Sequence, residues 1–317
     1  MSRLEEIEAR LERREREIDE RLKRILGDDE IEPYNAARAP VRDVAQSPGP
    51  GVSPAAARHM RADGRRLAIS IGLNTVDPAA YPGAVAPLTG CVIDVQRFAC
   101  VLQRAAFETM TLIDEQATCA NVYTALRRAA ESLQAGDLFV CHVSSHGGRG
   151  TAPDGVVRES WCLYDGLAWD CDIVWVFSHF RPGVRILVIN DQCHSGGIFQ
   201  ARAGGLDSPF ARLATEDGRS KLWNAEEAMA KPDFPALIQF AGCRAEQFSM
   251  DGLAGGTWTQ ALINALDEAC ACEMPCSYRQ WFDMAFASPT LRRGRQDPQW
   301  IETRGVTDAF RNAPALA

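Results

Sequence analysis

Long hydrophobic runs are absent from this sequence. Nowhere do about 18 apolar residues follow one another without interruption, which argues against a transmembrane helix. The first residues, MSRLEEIEARLERRERE, lack the apolar segment of a secretory signal. We therefore expect a cytoplasmic protein in a reducing environment. Positive charge is also scarce, since the net charge is −8 at pH 7, and this disfavours a nucleic-acid binder, whose surface would be basic.

Cysteine is plentiful, but its usage does not indicate a disulfide scaffold. The chain has 11 cysteines in 317 residues, whereas disulfide-rich scaffolds are small and exported. We expect most of these thiols to be buried as small apolar groups, with one or two reactive. Cys270, Cys272 and Cys276 form a cluster, but the spacing is not a usual zinc pattern and no histidine lies near. These three thiols are predicted to be structural, and no metal site is predicted from them.

Composition divides the chain into three regions. Residues 1–26 are dense in Glu and Arg, with apolar residues at steps of three, four and seven that Arg14 interrupts. This pattern fits a solvated single helix, a short coiled coil that self-associates, or a helix that docks a partner protein, with disorder as a further alternative. Residues 27–64 are rich in proline with scattered glycine and alanine, which predicts a flexible linker. Residues 65–317 are predicted to form the globular domain.

The globular region alternates between apolar runs and amphipathic segments. Several runs are almost continuously apolar, which is typical of strands buried on both faces of a parallel sheet; they cover 67–73, 138–145, 185–191 and 237–242. A shorter strand is predicted near 109–113. Helical spacing predicts helices over 91–106, from an N-cap at Thr118, and over 170–180, 257–270 and 278–287. This order predicts a mostly parallel central sheet with helices on both faces, with an irregular connection over 198–235.

Two of the predicted strands end beside residues that can form a catalytic pair. Ligands bind beyond the carboxyl ends of the strands in an open parallel sheet, and there the chain places His146 and Cys193, each followed closely by glycines. An imidazole can ionise a thiol for attack on a carbonyl. Glycines let a substrate backbone approach and leave N–H groups for an oxyanion. Each residue alone is more often structural, but together they predict a nucleophile, Cys193, with His146 as its base.

Two other histidines near this pair are expected to have no part in catalysis. His194 is adjacent to the nucleophile on an extended turn, so its ring should point away from Cys193. His142 lies in the middle of a predicted strand and is expected to pack in the core.

The segments around the pair resemble the metacaspase branch of the caspase family of cysteine peptidases. Caspases place the histidine about 50 residues before the nucleophile, and His146 stands 47 residues before Cys193. The segments similar to family motifs are Asp191-Gln192-Cys193-His194-Ser195-Gly196, Ser144-Ser145-His146-Gly147, LTGCVID at 88–94, DEQAT at 114–118 and QDPQ at 296–299. The resemblance covers about 65–301. It implies a caspase-like α/β fold and a Cys-His endopeptidase in which backbone N–H groups of Gly147 and Cys193 hold the oxyanion.

The resemblance also implies which residues line the S1 pocket, the pocket for the side chain before the scissile bond. These residues are Cys91, Asp94, Ser144 and Asp191. Two carboxylates in one pocket favour a cationic side chain, because a buried charge is tolerated only when it is paired. We therefore expect a protein or peptide substrate with Arg or Lys at P1. The structural alternatives are a helix N-cap for Asp191 and a first-turn helix charge for Asp94.

The same resemblance raises two further questions, which are calcium activation and self-cleavage. Many metacaspases need calcium, for which the candidate ligands are Asp165, Asp170 and Asp172, although Cys171 stands where another acid is expected. No other cofactor is predicted, and calcium activation stays undecided. Related enzymes process themselves, and the basic residues in the tether and in the irregular stretch are candidate sites: Arg38, Arg42, Arg202, Arg212, Arg219 and Lys221.

The sequence therefore leaves two functions from different classes open. The first is a regulated cysteine endopeptidase that processes a partner protein in stress or defence signalling, a role that rests on analogy. The alternative is a catalytically silent caspase-fold scaffold that is recruited through residues 1–26.

Overall fold

The computed structural model describes residues 64–81, 85–152, 155, 157–199, 229, 233–247, 249–250, 252, 255–272, 275–294 and 296–317. The chain divides into two compact units, Met1–Ala62 and Asp63–Ala317, and every described residue belongs to the second. The helix predicted at 1–26, almost all of the predicted linker and the six candidate self-cleavage sites lie outside the described residues.

The described residues form nine strands, numbered along the chain. They are β1 (Arg66–Gly72), β2 (Glu108–Ile113), β3 (Leu138–Ser144), β4 (Gly147–Thr151), β5 (Val157–Leu163), β6 (Gly166–Trp169), β7 (Arg185–Asp191), β8 (Ala236–Ala241) and β9 (Gln299–Glu302). Six of them make a sheet in the order β2-β1-β3-β7-β8-β9. The first five are parallel to one another and β9 is antiparallel to β8. The remaining three, β4-β5-β6, form a small antiparallel sheet.

Seven α-helices lie in the described part of the chain: α1 (Cys91–Arg104), α2 (Cys119–Ser132), α3 (Asp170–Phe177), α4 (Thr257–Ala271), α5 (Tyr278–Phe286), α6 (Pro289–Gly294) and α7 (Asp308–Asn312). Thr118 caps α2 as predicted, because its side chain accepts a hydrogen bond from the N–H of Asn121 at 3.2 Å. Of the helices described, none has both the length and the apolar character needed to span a membrane.

Helices cover both faces of the central sheet. Val140 of β3 is part of a buried cluster with Phe98 of α1 and Trp258 of α4. Its neighbour Phe139 points to the opposite face, where its ring lies 6.3 Å from that of Phe177 in α3. This alternation, with β3 buried on both faces, confirms the predicted α/β architecture with a mostly parallel sheet.

Two expectations need correction. The sequence patterns did not predict the antiparallel sheet β4-β5-β6, the last strand β9 or the short helices α6 and α7. The expectation that most cysteines are buried is wrong: all eleven are free thiols, but only Cys91, Cys141, Cys162 and Cys243 are buried. Four others, Cys119, Cys171, Cys193 and Cys276, are half-buried, and Cys100, Cys270 and Cys272 are exposed.

Candidate active site

The register of the central sheet brings the two catalytic candidates to one edge. Ser144 at the end of β3 pairs with Asp191 at the end of β7, so His146 and Cys193 each follow their strand by two residues. Gly147 then packs against the main chain of Cys193, because a Cβ on Gly147 would lie 1.8 Å from the Cys193 carbonyl oxygen. Any side chain at position 147 would therefore push the two loops apart.

A backbone carbonyl orients the His146 ring. Its Nε2 lies 2.8 Å from the carbonyl oxygen of Ala86. Because a carbonyl can only accept, Nε2 must carry the proton, and the neutral ring then presents an unprotonated Nδ1. No side-chain pattern could have predicted this partner, since the group belongs to the main chain of a loop 60 residues away.

The Cys193 thiol is partly buried. Burial raises the pKa of Cys193, and the negative charge of Asp191 raises it further. The Sγ atom lies 3.9 Å from the carbonyl oxygen of Ser249, to which it donates. Within the described residues the thiol and the His146 ring share no hydrogen bond, and catalytic pairs often tighten only when substrate binds. A thiol with a raised pKa needs a base for attack at neutral pH.

Gln192 ties the two catalytic loops together. Its Nε2 donates to Ser145 Oγ at 2.6 Å and to the His146 carbonyl oxygen at 3.3 Å. Its Oε1 in turn accepts from Asn190 Nδ2 at 3.0 Å. Since Gln192 precedes Cys193 and contacts the loop that carries His146, it links the two loops by hydrogen bonds.

The strand pairing leaves the N–H of Gly147 directed away from β5. The N–H of Cys162 donates to the His146 carbonyl oxygen at 3.0 Å, and the next pair along is Gly147 with Trp161. In an antiparallel ladder hydrogen-bonded and non-hydrogen-bonded pairs alternate. Because β4 is the edge of its sheet, this N–H faces out of the sheet.

Asp94 is fully buried and hydrogen-bonded by neutral donors. Its Oδ2 accepts from Ser144 Oγ and from the N–H of Gly256, both at 2.8 Å. Its Oδ1 accepts from Gln260 Nε2 at 3.2 Å. Burial, followed by the nearby charge of Asp191, raises the pKa of Asp94 to about 8. A pKa of about 8 favours the protonated carboxyl at neutral pH.

Asp191 lies beside Asp94 and is also buried. Its Oδ1 accepts from the hydroxyl of Ser249, and its Oδ2 accepts from the N–H of Thr259 at 2.8 Å. Thr259 lies in the first turn of α4, so Asp191 caps this helix, as the structural alternative proposed. Asp191 also faces Asp94. Asp94, for its part, lies in the first turn of α1.

The structure therefore brings Asp94, Ser144 and Asp191 together, and Cys91 lies buried one helical turn before Asp94. The sequence interpretation missed Ser249, Gly256 and Thr259, which all contact the carboxylates. Residues 249–259 carry no motif of their own, and the contacts depend on the path of the loop between β8 and α4.

Of the two other histidines, His142 lies in the core as expected, whereas His194 lies in a left-handed turn and not in the extended turn that was predicted. His194 has a left-handed backbone, φ 61°, and its Nδ1 donates to the carbonyl oxygen of Ala245 at 2.7 Å. His142 is fully buried, with Nε2 at 3.2 Å from Thr259 Oγ1. This burial confirms the prediction of a core histidine, and it lowers the pKa of His142 to about 3.

The three aspartates suggested as calcium ligands do not group together in the described part of the chain, and calcium activation stays a prediction. Asp170 accepts from Arg158 at 3.1 Å, and Asp165 accepts from the N–H of Cys119 at 2.6 Å, so each already has a protein partner. Asp172 follows in the first turn of α3. Nowhere in the described ranges do three His, Cys, Asp or Glu side chains group as metal ligands, and this includes the thiols of Cys270, Cys272 and Cys276.

Comparison with known proteins gives the following matches. The peptidase C14 family, defined by the caspase domain, matches residues 65–307. Metacaspase-4 of Arabidopsis thaliana is 36% identical over 171 residues, which are 49% of this chain and 40% of the relative. Metacaspase-1A of Aspergillus clavatus is 29% identical over 211 residues, which are 58% of this chain and 46% of the relative. The chain thus spans less than half the length of these curated relatives.

A solved structure covers more of the chain. The crystal structure of a protein from Geobacter sulfurreducens superposes with a TM-score of 0.64 at 27% sequence identity. The superposition covers 80% of this chain and 98% of that chain, so the shared architecture includes nearly all of that protein.

Proposed function

The chain belongs to the peptidase C14 caspase-domain family, and from that premise we propose that it is a cysteine endopeptidase that cleaves after Arg or Lys. One arrangement carries the proposal: Gly147 packs on the Cys193 main chain, while the Ala86 carbonyl holds the neighbouring His146 with Nε2 protonated. A nucleophile, a base with its free nitrogen available and an N–H facing out of β4 are thereby grouped at one sheet edge.

The proposed reaction is acyl transfer. His146 Nδ1 takes the proton of the Cys193 thiol, and the thiolate forms a bond to the carbonyl carbon of the substrate. The N–H groups of Gly147 and Cys193 stabilise the resulting oxyanion. The C–N bond then breaks as His146 gives its proton to the leaving amine. Water, deprotonated by the same ring, hydrolyses the thioester and restores the thiol.

The preference for Arg or Lys is supported by the two buried carboxylates. Asp94 and Asp191 lie side by side, and the charge of one raises the pKa of the other. A guanidinium or ammonium group would favour ionisation of both, because opposite charges stabilise each other strongly in a buried site. An acidic P1 side chain would instead meet like charge. We extend the proposal, by analogy alone, to a regulated protease that processes a partner protein.

A paired substrate panel tests the proposal. Wild-type protein should hydrolyse peptides with Arg or Lys at P1 and leave the matched Asp peptide uncut. Cys193→Ala should abolish hydrolysis, whereas Cys100→Ala, which removes an exposed thiol of α1, should leave it intact. An arginyl chloromethylketone should alkylate Cys193, as read by peptide mass spectrometry. A protein that is folded, yet neither alkylated nor active on any of the peptides, would instead be the scaffold.

A further inference from the structure

Gln296 makes a set of contacts that the proposed mechanism does not use. It lies in the loop before β9, in a segment that resembles a family stretch, and its side chain is buried. Nε2 donates to the carbonyl oxygen of Gly242 at 2.8 Å and to Ser249 Oγ at 2.9 Å. Oε1 accepts from the N–H of Met250 at 3.2 Å. All three bonds go to the segment that follows β8, and none goes to a neighbour in sequence.

The orientation of the Gln296 amide follows from its partners. The Gly242 carbonyl can only accept and the Met250 N–H can only donate, so a flipped amide would lose both bonds. Nε2 therefore faces Ser249, and the serine hydroxyl receives a hydrogen bond from it. Because a hydroxyl has a single proton, that proton stays available for the contact of Ser249 with Asp191.

Ser249 touches both halves of the active site. Its hydroxyl donates to Oδ1 of Asp191, and its carbonyl oxygen accepts from the Cys193 thiol at 3.9 Å. Gln296 donates a hydrogen bond to the Ser249 hydroxyl, and it accepts one from the N–H of the next residue, Met250. Asp297, the residue after Gln296, forms an ion pair with Arg244 near the start of the segment that follows β8.

We propose that Gln296 is a positioning residue of the active site, which directs the Ser249 hydroxyl toward Asp191 and so holds this carboxylate ready for a cationic P1 side chain. The inference rests on the proposed function, since it concerns the pocket for Arg or Lys. It adds a residue that forms no hydrogen bond with the Cys193 thiol in the described part of the chain and acts on Asp191 through Ser249.

Gln296→Glu tests the direction of the hydrogen bond with little change in shape. The carboxylate keeps an acceptor for Met250 but offers none of the donors, so it competes with Asp191 for the Ser249 proton. We expect KM for an Arg peptide to rise by about tenfold or more, as for the loss of a hydrogen bond to a charged group, with a smaller change in kcat. Gln299→Glu is the matched control, because the Gln299 amide bonds only the backbone carbonyls of Asp297 and Pro298.

A second measurement does not depend on turnover. Iodoacetamide should alkylate Cys193 in wild type and in both variants, and benzamidine, an arginine mimic, should slow this reaction. The benzamidine concentration needed for protection should rise about tenfold in Gln296→Glu only. In a Ser249→Ala background, which also serves if Gln296→Glu folds poorly, Gln296→Ala should add less than about threefold, because the two residues act in series.

The outcomes separate the two proposals. Wild-type cleavage after Arg with no change in Gln296→Glu, an equal change in Gln299→Glu, or full additivity with Ser249→Ala would overturn the role of Gln296 alone. Wild-type protein that neither cleaves after Arg nor is protected by benzamidine would overturn the proposed specificity and this inference with it.

Discussion

Asp94 and Asp191 come from different elements, α1 and β7, yet both accept hydrogen bonds from the first turn of helix α4. The N–H of Gly256 donates to Asp94 and the N–H of Thr259 donates to Asp191, each at 2.8 Å. Helix α4 has no side-chain cap of its own, so the two carboxylates proposed for the S1 pocket satisfy two N–H groups at its start. The positive end of the helix in turn favours their ionised forms. The pocket and the end of the helix therefore depend on each other.

Gly256 lies close to the carboxylates of both Asp94 and Asp191, and we predict that Gly256→Ala abolishes the pocket that they form. A Cβ at this position would lie 2.3 Å from Oδ2 of Asp191 and 2.8 Å from Oδ2 of Asp94. One carboxylate must move, which should lower kcat/KM for Arg peptides by about a hundredfold or more. Gly252→Ala is the control in the same loop, since its Cβ would meet only the Gly255 carbonyl at 3.7 Å. Equal kcat/KM in both variants would contradict this prediction.

Cation binding should release a proton from the S1 pocket. The pKa of Asp94 is about 8 because of burial and of Asp191, and its other neighbours, Ser144, Gly256 and Gln260, are neutral donors. Below this pH Asp94 is protonated, so benzamidine should bind more tightly as the pH rises from 6.5 to 9. Calorimetry in buffers of different ionisation enthalpy, performed on Cys193→Ala protein to remove the thiol, should detect proton release near pH 7. The release should vanish in Cys193→Ala/Asp94→Asn.

The central sheet could be predicted from sequence because its strands have a distinctive residue pattern. The segments at β1, β3, β7 and β8 are almost continuously apolar, which is typical of strands buried on both faces of a parallel sheet. The small sheet could not be predicted in the same way. Its first strand reads GGRGT, which has neither apolar residues nor alternation.

The candidate site was predictable to the same extent. Asp191 and Cys193 follow directly from the end of β7, where a parallel sheet binds its ligands. Ser249, Gly256 and Gln296 lie in loops about 50 to 100 residues later in sequence, and they contribute one hydroxyl, one backbone N–H and one side-chain amide. Such groups leave no residue-type signal, because their effect depends on where the loop passes. The QDPQ segment at 296–299 is predictable through its resemblance to a family motif, but the contacts of its side chains are not.

Stability should fall as the pH rises toward 8, and Asp94 should be a cause. Its pKa is about 8 in the folded protein, against 3.8 for an unshifted aspartate. Between these values the folded state holds a proton that the unfolded state has lost, so each pH unit costs up to about 1.4 kcal/mol. Thermal melts from pH 6.5 to 8 should show a flatter slope for Asp94→Asn than for wild type. His142 does not interfere, because its pKa of about 3 leaves it neutral there. Parallel slopes would exclude this role for Asp94.

The two histidines nearest the nucleophile should separate cleanly in activity. His146 presents Nδ1 toward the site because Nε2 is held by Ala86, so His146→Ala should lower kcat on Arg peptides by at least about a hundredfold, the usual size of a general-base contribution. The ring of His194 is held by the Ala245 carbonyl, and its left-handed backbone is one that asparagine also adopts. His194→Asn should therefore keep kcat within about threefold of wild type. A larger loss in His194→Asn than in His146→Ala, with both proteins folded by circular dichroism, would reassign the base.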